Sequence, residues 1–306
     1  MTLDQLTIFI AVAEREHLTR GAAALGLTPS AASAAIKALE TYYNVQLFDR
    51  VGRGIELTRD GRVFLREAKE TMARAKSAEA VLSDLGGLKT GLLDVHASQT
   101  IANYWLPPRL LQFSEDYPGI EIRLTVGNTT TVSAAVLEGA AELGFIEGTI
   151  DEPALAVSPI TIDRLVVVAA RGRVPPAPID AVSLTRLRWI MREPGSGTRA
   201  VFEQALEALS IDPRRLQVAL TLPSNEAVLS AVRQSGCAAA LSESVVAPFV
   251  ENGQLGIVSI KLPPRQFTVL RHKERRLTAA AKAFEQLCRS STGSRPAETA
   301  IKKPAS

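Results

Sequence analysis

Residues 19–40 read TRGAAALGLTPSAASAAIKALE, and this stretch decides the N-terminal fold. Arg20–Leu25 is alanine-rich and favours a helix, and Gly26 is free to take the left-handed conformation that ends one. Thr28 follows at an N-cap position. Pro29 stands at the first helical position, where its missing N–H leaves no bond unmade. The next helix is expected to reach Tyr43. Its apolar residues Ala32, Ile36, Leu39 and Tyr43 recur at helical spacing. Ser30, Ala34, Lys37 and Thr41 point the other way. That free face is small and polar with one cation, as suits a helix that enters a DNA groove and meets base edges. A solvated helical hairpin would carry the same pattern, so the flanking residues decide.

Upstream, Leu3, Leu6, Phe9, Ile10 and Ala13 mark one face of a first helix that would pack under the hairpin. Downstream comes NVQLFDRVGRGIELTRDG, residues 44–61. Val45, Leu47 and Phe48 are apolar, Asp49–Gly54 is turn-like, and Ile55–Leu57 forms a short return strand. The result is a hairpin wing with Arg50 and Arg53 at its tip, where cations meet phosphates or the minor groove. Thr58 is a second N-cap, and Asp60 in the first turn suits the helix dipole. The helix it opens runs to about Leu85. Phe64, Ala68, Met72, Ala75, Glu79, Leu82 and Leu85 step by three and four, close to a heptad seam. A dimerising linker, with its hinge over 59–90, fits that pattern better than a helix packed on its own domain.

With 306 residues, 46% of them hydrophobic and 22% charged, the chain suits two or three globular domains. A net charge of +3 permits a nucleic-acid partner without requiring one. Cys237 and Cys288 are too far apart for a disulfide framework or zinc spacing and read as buried thiols. His17, His96 and His272 are scattered, so neither a metal nor another cofactor is expected. No signal peptide and no apolar run of about 18 residues is seen. The expected location is cytoplasmic, with no membrane partner.

Residues 1–85 resemble the N-terminal half of a LysR-type transcriptional regulator. The resemblance rests on LDQLTIFIAVAE, HLTRGAAALGLTPSAASAAIKALE and LFDR…R…LTRDG, in that order and spacing. It implies a winged helix–turn–helix over 1–58 (an α+β unit) and a dimerising helix. It also implies a C-terminal α/β effector domain of two lobes, like a periplasmic binding protein. Two positions depart from the family: Pro29 stands where Gln is common, and Ala34 where Arg or Gln is common. Base readout then falls to Ser30, Ser33 and Lys37, to Ala34 against thymine methyls, and to DNA shape. Thr28, Pro29, Arg50 and Arg53 complete the expected DNA-binding set.

The rest of the chain alternates strand and helix, which implies a parallel sheet. GLLDVHAS (91–98), IEIRLTVG (120–127) and ELGFIEG (142–148) read as strands. Ligands gather beyond the carboxyl ends of such strands, here Ser98-Gln99-Thr100, Asn128-Thr129 and Glu147. DRLVVVAA (163–170) enters a second lobe. In EPGSGTRAVFEQAL (193–206), Gly195 and Gly197 allow close backbone approach, and Ser196 and Thr198 open a helix. Its free N–H groups would form an anion site, with Arg199 adding a fork for two oxygens. The stretch lacks the Lys of a phosphate-binding Walker loop and the spacing of a nucleophile elbow. LPSN (222–225) starts another helix with Asn225 facing the same cleft. Gln266–Leu270 returns to the first lobe. Lobe I is therefore 91–162 with 266–290, lobe II is 163–265, and 291–306 is expected to be a disordered tail.

QTIANYW, REPGSGTR and LPSNEAV are similar to the family branch that regulates sulfite-reduction and carbon-fixation operons. That implies a small anionic effector such as sulfite or a phosphorylated metabolite. Pairing of two subunits through the 58–85 helix gives the expectation of a homodimer or homotetramer on a double-stranded, near-palindromic operator. A transport solute-binding protein would not need residues 1–85. An enzyme using Ser98 or Ser196 as nucleophile would need a base that no histidine motif supplies, so no enzymatic activity is expected.

Overall fold

The computed structural model describes residues 1–52, 54–85, 90–176, 179, 181–260 and 262–290. It forms two compact units, one built on Met1–Leu85 and the other on Gly86–Leu137 with the chain from Ala141 onward. Arg53 and the 291–306 tail lie outside the described residues.

The first unit opens with α1 (Leu3–Ala13). Its start is a capping box: the Gln5 amide donates to the Thr2 hydroxyl and the Thr2 amide to the Gln5 side chain. α2 covers Leu18–Ala24, starting two residues earlier than its alanine content suggests because His17 caps it through Nδ1. Gly26 turns the chain at φ 67°. α3 (Pro29–Tyr43) then starts as its sequence dictates, with Ala31 N–H donating to the Thr28 hydroxyl at 3.3 Å. Left-handed Asn44 ends it. Ala32, Ile36 and Leu39 are buried against Leu6, Phe9 and Val12 of α1. Tyr43 is not: it is 53% exposed and meets Tyr42 ring to ring, because the core stops a turn earlier, at Leu39.

The wing is β1 (Phe48–Val51) paired antiparallel with β2 (Gly54–Leu57). α4 (Arg59–Leu85) follows, 27 residues long and hence about 40 Å. Its first turn rests on the wing. Thr58 donates to the Gln46 carbonyl and accepts from Gly61 N–H, both at 2.8 Å. A Cβ at Gly61 would lie 2.1 Å from the Leu47 carbonyl oxygen, so only glycine fits there. The proximal half of the expected seam is consumed within this unit. Ala68 is buried, Phe64 and Met72 pack on the same core, and the Phe9 and Phe64 rings are 4.8 Å apart. Further along, Leu82 is 70% exposed.

The second unit holds two five-stranded sheets. The first contains β3 (Gly91–Ser98), β4 (Ile120–Gly127), β5 (Leu143–Glu147), β6 (Leu155–Asp163) and β12 (Arg265–His272), in the order β4-β3-β5-β12-β6. β3, β4 and β5 are parallel, whereas β12 runs against both its neighbours. The second contains β7 (Leu165–Ala170), β8 (Arg188–Arg192), β9 (Gln217–Leu222), β10 (Ala238–Ser242) and β11 (Leu255–Ile257), in the order β11-β7-β10-β8-β9. Here β8, β9 and β10 are parallel.

α5 (Pro107–Asp116), preceded by a π-helical turn at Ile101–Trp105, and α11 (Ala279–Ser290) cover the first sheet through Phe113, Phe145 and Phe284. α6 (Thr129–Glu138) closes its other face through Val132 and Val136. α7 (Ala181–Arg186) and α8 (Gly197–Ala208) contribute Leu184, Phe202 and Leu206 around Trp189 of the second sheet. α9 (Asn225–Arg233) and α10 (Glu243–Glu251) cover its reverse. The chain passes between the sheets just after Asp163 and returns just before Arg265, and these two residues pair in register. Cys237 and Cys288 are buried free thiols. Burial pushes Cys288 up to about 12, so it stays protonated and inert.

Candidate effector cleft and DNA-reading helix

On α3, Thr28, Pro29, Ser30, Ser33, Ala34 and Lys37 are all exposed, and so is Arg50 on the wing. Thr28 and Ser30 share a hydrogen bond of 3.1 Å between hydroxyls. Ser33, Lys37 and Arg50 have no side-chain partner among the described residues. The helix therefore offers one solvated row of small and polar groups, held on a rigid core by its buried side.

The cleft between the two sheets is different, because its polar groups bond to one another across it. Ser98 ends β3 and Gln99 and Thr100 follow it, Asn128 and Thr129 follow β4, and Glu147 ends β5, all at the first sheet. Opposite them stand Arg192 at the end of β8, the Glu193–Ser196 turn, and the starts of α8 and α9. Asn225 is fully buried; its amide N–H donates to Gln99 Oε1 at 2.9 Å and its Nδ2 to Thr100 Oγ1 at 3.1 Å. Gln99 Nε2 donates to the Pro223 carbonyl at 3.0 Å. Arg192 Nη1 donates to Asn225 Oδ1. The Arg192 fork grips Glu193 through Nε at 2.8 Å and Nη2 at 2.9 Å, and Asn128 Nδ2 donates to the same carboxylate at 3.2 Å. One chain of bonds thus runs from β4 through Glu193, Arg192 and Asn225 back to β3.

The glycines set the spacing of this cleft. Gly195 is left-handed at φ 88°, and its carbonyl accepts from the Thr130 amide at 3.2 Å. A Cβ at Gly197 would lie 2.4 Å from Thr129 Oγ1 and 2.6 Å from the Glu147 carbonyl oxygen. The α8 terminus can therefore approach β5 only without a side chain. Ser196 caps α8 by accepting from Arg199 N–H at 3.4 Å. At the rim, Asn103 donates to Glu226 at 3.3 Å. Burial, then the neighbouring Glu226 carboxylate, raises the Tyr104 hydroxyl above its ordinary value.

Arg199, expected to grip an anion, is turned elsewhere. Its Nε donates to Glu203 one turn along α8 at 2.8 Å, and its Nη1 to the Arg192 carbonyl at 3.2 Å. The guanidinium bonded to Glu193 and Asn225 in the cleft is Arg192, only 4% exposed. By sequence alone RWIMRE (188–193) reads as a strand and gives Arg192 no role of its own. The available signal was a charge closing the apolar run Trp189-Ile190-Met191 in a strand that is buried. A second missed cluster lies at the crossings. Arg265 donates to Asp163 at 2.6 Å and to Thr198 at 2.9 Å, and Ser242 donates to Asp163 at 2.7 Å. Arg265 Nη2 and Ser98 Oγ are buried with no partner. No group of three or more His, Cys, Asp or Glu suited to a metal occurs among the described residues. No single helix there is long and apolar enough to cross a membrane.

Comparison with known proteins agrees with this division. Residues 3–62 match the model of bacterial regulatory helix-turn-helix proteins of the lysR family, and residues 86–293 match the LysR substrate binding domain. The Escherichia coli (strain K12) protein named "Uncharacterized HTH-type transcriptional regulator YeiE" is 34% identical over 291 residues, covering 94% of this chain and 97% of that one. A "Probable RuBisCO transcriptional regulator" of Cyanidioschyzon merolae is 32% identical, covering 93% and 96%. Among solved structures, the regulatory domain of CcmR from Synechocystis PCC6803, in complex with 2-PG, is 28% identical with a TM-score of 0.61. It covers 68% of this chain and 100% of that one. These relatives are regulators rather than enzymes, and one comes from the carbon-fixation branch expected from the C-terminal motifs. The chain belongs to the LysR family: it is a DNA-binding transcriptional regulator with an effector-binding domain.

Proposed function

We propose that α3 reads the operator through Ser30, Ser33, Ala34 and Lys37, with Thr28 and Pro29 setting its entry and Arg50 and Arg53 touching backbone or minor groove. Two copies pair through α4, whose exposed Leu82 needs a cover, as a homodimer or a dimer of dimers. It works in the cytoplasm, where the DNA is. The effector is a small anion held between the sheets. Ser98, Gln99, Thr100, Asn128, Thr129, Glu147, the Gly195–Thr198 turn and Asn225 line its site, with Arg199 bracing the turn from behind. The observation that carries this reading is the chain of hydrogen bonds from Asn128 to Thr100 through Arg192 and Asn225. Polar groups that bridge two lobes give a ligand a means to favour one arrangement over another. The 2-PG bound by the CcmR domain supports a phosphorylated anion.

The test is a thermal-shift series on the full chain with sulfite, sulfate, phosphate, phosphoglycolate and short carboxylates. A dose-dependent rise with one of them is expected, since a ligand of the folded state stabilises by mass action. Flat melting with all five removes the anion from the reading. Operators selected from random duplexes should be near-palindromes with half-sites about one helical turn apart.

A further inference from the structure

We infer that Arg192 is the residue that takes the effector's anionic group, and that Glu193 occupies its fork until the effector displaces it. This rests on the anionic-effector reading above and adds a residue and a mode of action to it. Arg192 lies at the carboxyl end of β8, where a parallel strand delivers side chains to a cleft. Two of its nitrogens bind the two Glu193 oxygens side by side, and the third group holds Asn225. Glu193 also accepts from Asn128 on the opposite sheet. A bidentate guanidinium contact with a third bond from the other lobe is the set of contacts a ligand carboxylate or tetrahedral oxyanion would need.

The other arginines around the cleft are less available. Arg199 is committed to Glu203 and to the backbone carbonyl of Arg192. Arg265 has one unpartnered nitrogen, Nη2, but Asp163 and Thr198 hold the other two and the Arg265–Asp163 pair is buried at 1% and 8% exposure, so it can add a single contact and not a two-nitrogen fork. Glu193 keeps 20% of its side chain exposed, so it can rotate outward without leaving a charge buried. Binding must be an exchange. An anion added beside Glu193 would place two negative charges on one guanidinium. The exchange also breaks the Asn128–Glu193 bond, so occupancy changes how the two sheets are tied. The fork selects anions that offer two oxygens, and a monatomic anion such as chloride cannot replace both contacts.

Isothermal titration of the full chain with sulfite, inorganic phosphate and phosphoglycolate tests this in wild type, Glu193→Gln and Arg192→Lys. The probe that binds wild type should bind Glu193→Gln about tenfold more tightly, because the competing charge is gone, and Arg192→Lys about tenfold more weakly, because the fork is gone. Glu193→Gln should also melt lower in anion-free buffer and regain more on adding the probe than wild type does. Circular dichroism reports whether each variant is folded, and Glu193→Gln alone decides the matter if Arg192→Lys is not. Unchanged or weaker binding in Glu193→Gln overturns the exchange, and wild-type binding in Arg192→Lys overturns the role of Arg192. In both cases the anionic effector itself survives. No binding to any of the three proteins overturns both readings together.

Discussion

The outer row of α3 and the cleft of the second unit are both polar, and they spend that polarity in opposite ways. Ser33 and Lys37 have no partner among the described residues and face water. In the cleft, Asn225, Gln99, Arg192 and Asn128 are all bonded, most of them to the opposite sheet. A surface of the first kind binds by addition: it keeps its own structure and gains contacts on a ligand that brings its own charge. One of the second kind binds largely by exchange, giving up existing bonds for new ones, with the buried and unpartnered Ser98 Oγ left open to addition. Substitutions on α3 should therefore cost affinity and little stability, whereas those in the cleft should cost both.

The largest effect is expected on α3. Ser33→Ala combined with Lys37→Ala should lower operator affinity by about two orders of magnitude, since each base contact discriminates by about 1–3 kcal/mol. The melting temperature should stay within about 2 °C of wild type, as exposed substitutions rarely exceed about 0.5 kcal/mol. Arg50→Ala should weaken binding to all sequences alike and reduce the salt slope by about one. Fluorescence anisotropy with a selected operator and a scrambled duplex measures both. If the double variant keeps wild-type selectivity, the reading face is not this row.

A smaller effect that joins stability to binding is expected at Gly197. An alanine methyl there must displace Thr129 or the β5 backbone at Glu147. Overpacking of this kind costs about 1–3 kcal/mol. Gly197→Ala should melt lower and also bind its anion less tightly, while operator affinity without effector stays near wild type. A variant that loses stability but keeps anion affinity would mean that this close approach of α8 to β5 does not shape the site.

What could be read from sequence follows the same contrast. The α3 signals are local: Gly26, Thr28 and Pro29 act within four residues, and a turn-by-turn pattern finds the buried side. Tyr43 fails because the pattern continues where the core does not. Central strands such as β5 and β10 are continuous apolar runs and stand out. β6 does not, because it is an edge strand that tolerates Pro159 and half-exposed residues. Several cleft residues, Gln99, Asn128 and Asn225 among them, are visible as strand ends and helix starts. Their pairing is not, since Thr100 and Asn225 lie 125 positions apart and Asn128 and Glu193 lie 65 apart. Local rules carry no information about which buried polar groups meet across a cleft. Arg192 was missed for this reason, because only its partners distinguish it from a strand end.

The smallest expected effect sits beside it. Arg199 belongs to the same GSGTR motif that points to an anion, and by sequence it is the obvious cation. Its Nε instead meets Glu203 at i+4, with both side chains partly exposed at 26% and 32%. Such a pair contributes about 0.3–0.5 kcal/mol, and arginine preceding glutamate is the weaker orientation along a helix. Its remaining bond, to the Arg192 carbonyl at 3.2 Å, steadies the strand end without touching the Arg192 guanidinium. Arg199→Ala should therefore lower the melting temperature by about 1–2 °C and change anion affinity by less than about threefold. Arg192→Lys, seven residues earlier, should change it by about tenfold. Titrating the two side by side separates a residue that braces the turn from one that meets the ligand. Equal losses would mean that Arg199 swings into the cleft when the anion arrives, and that the i+4 pair is its resting place as Glu193 is that of Arg192.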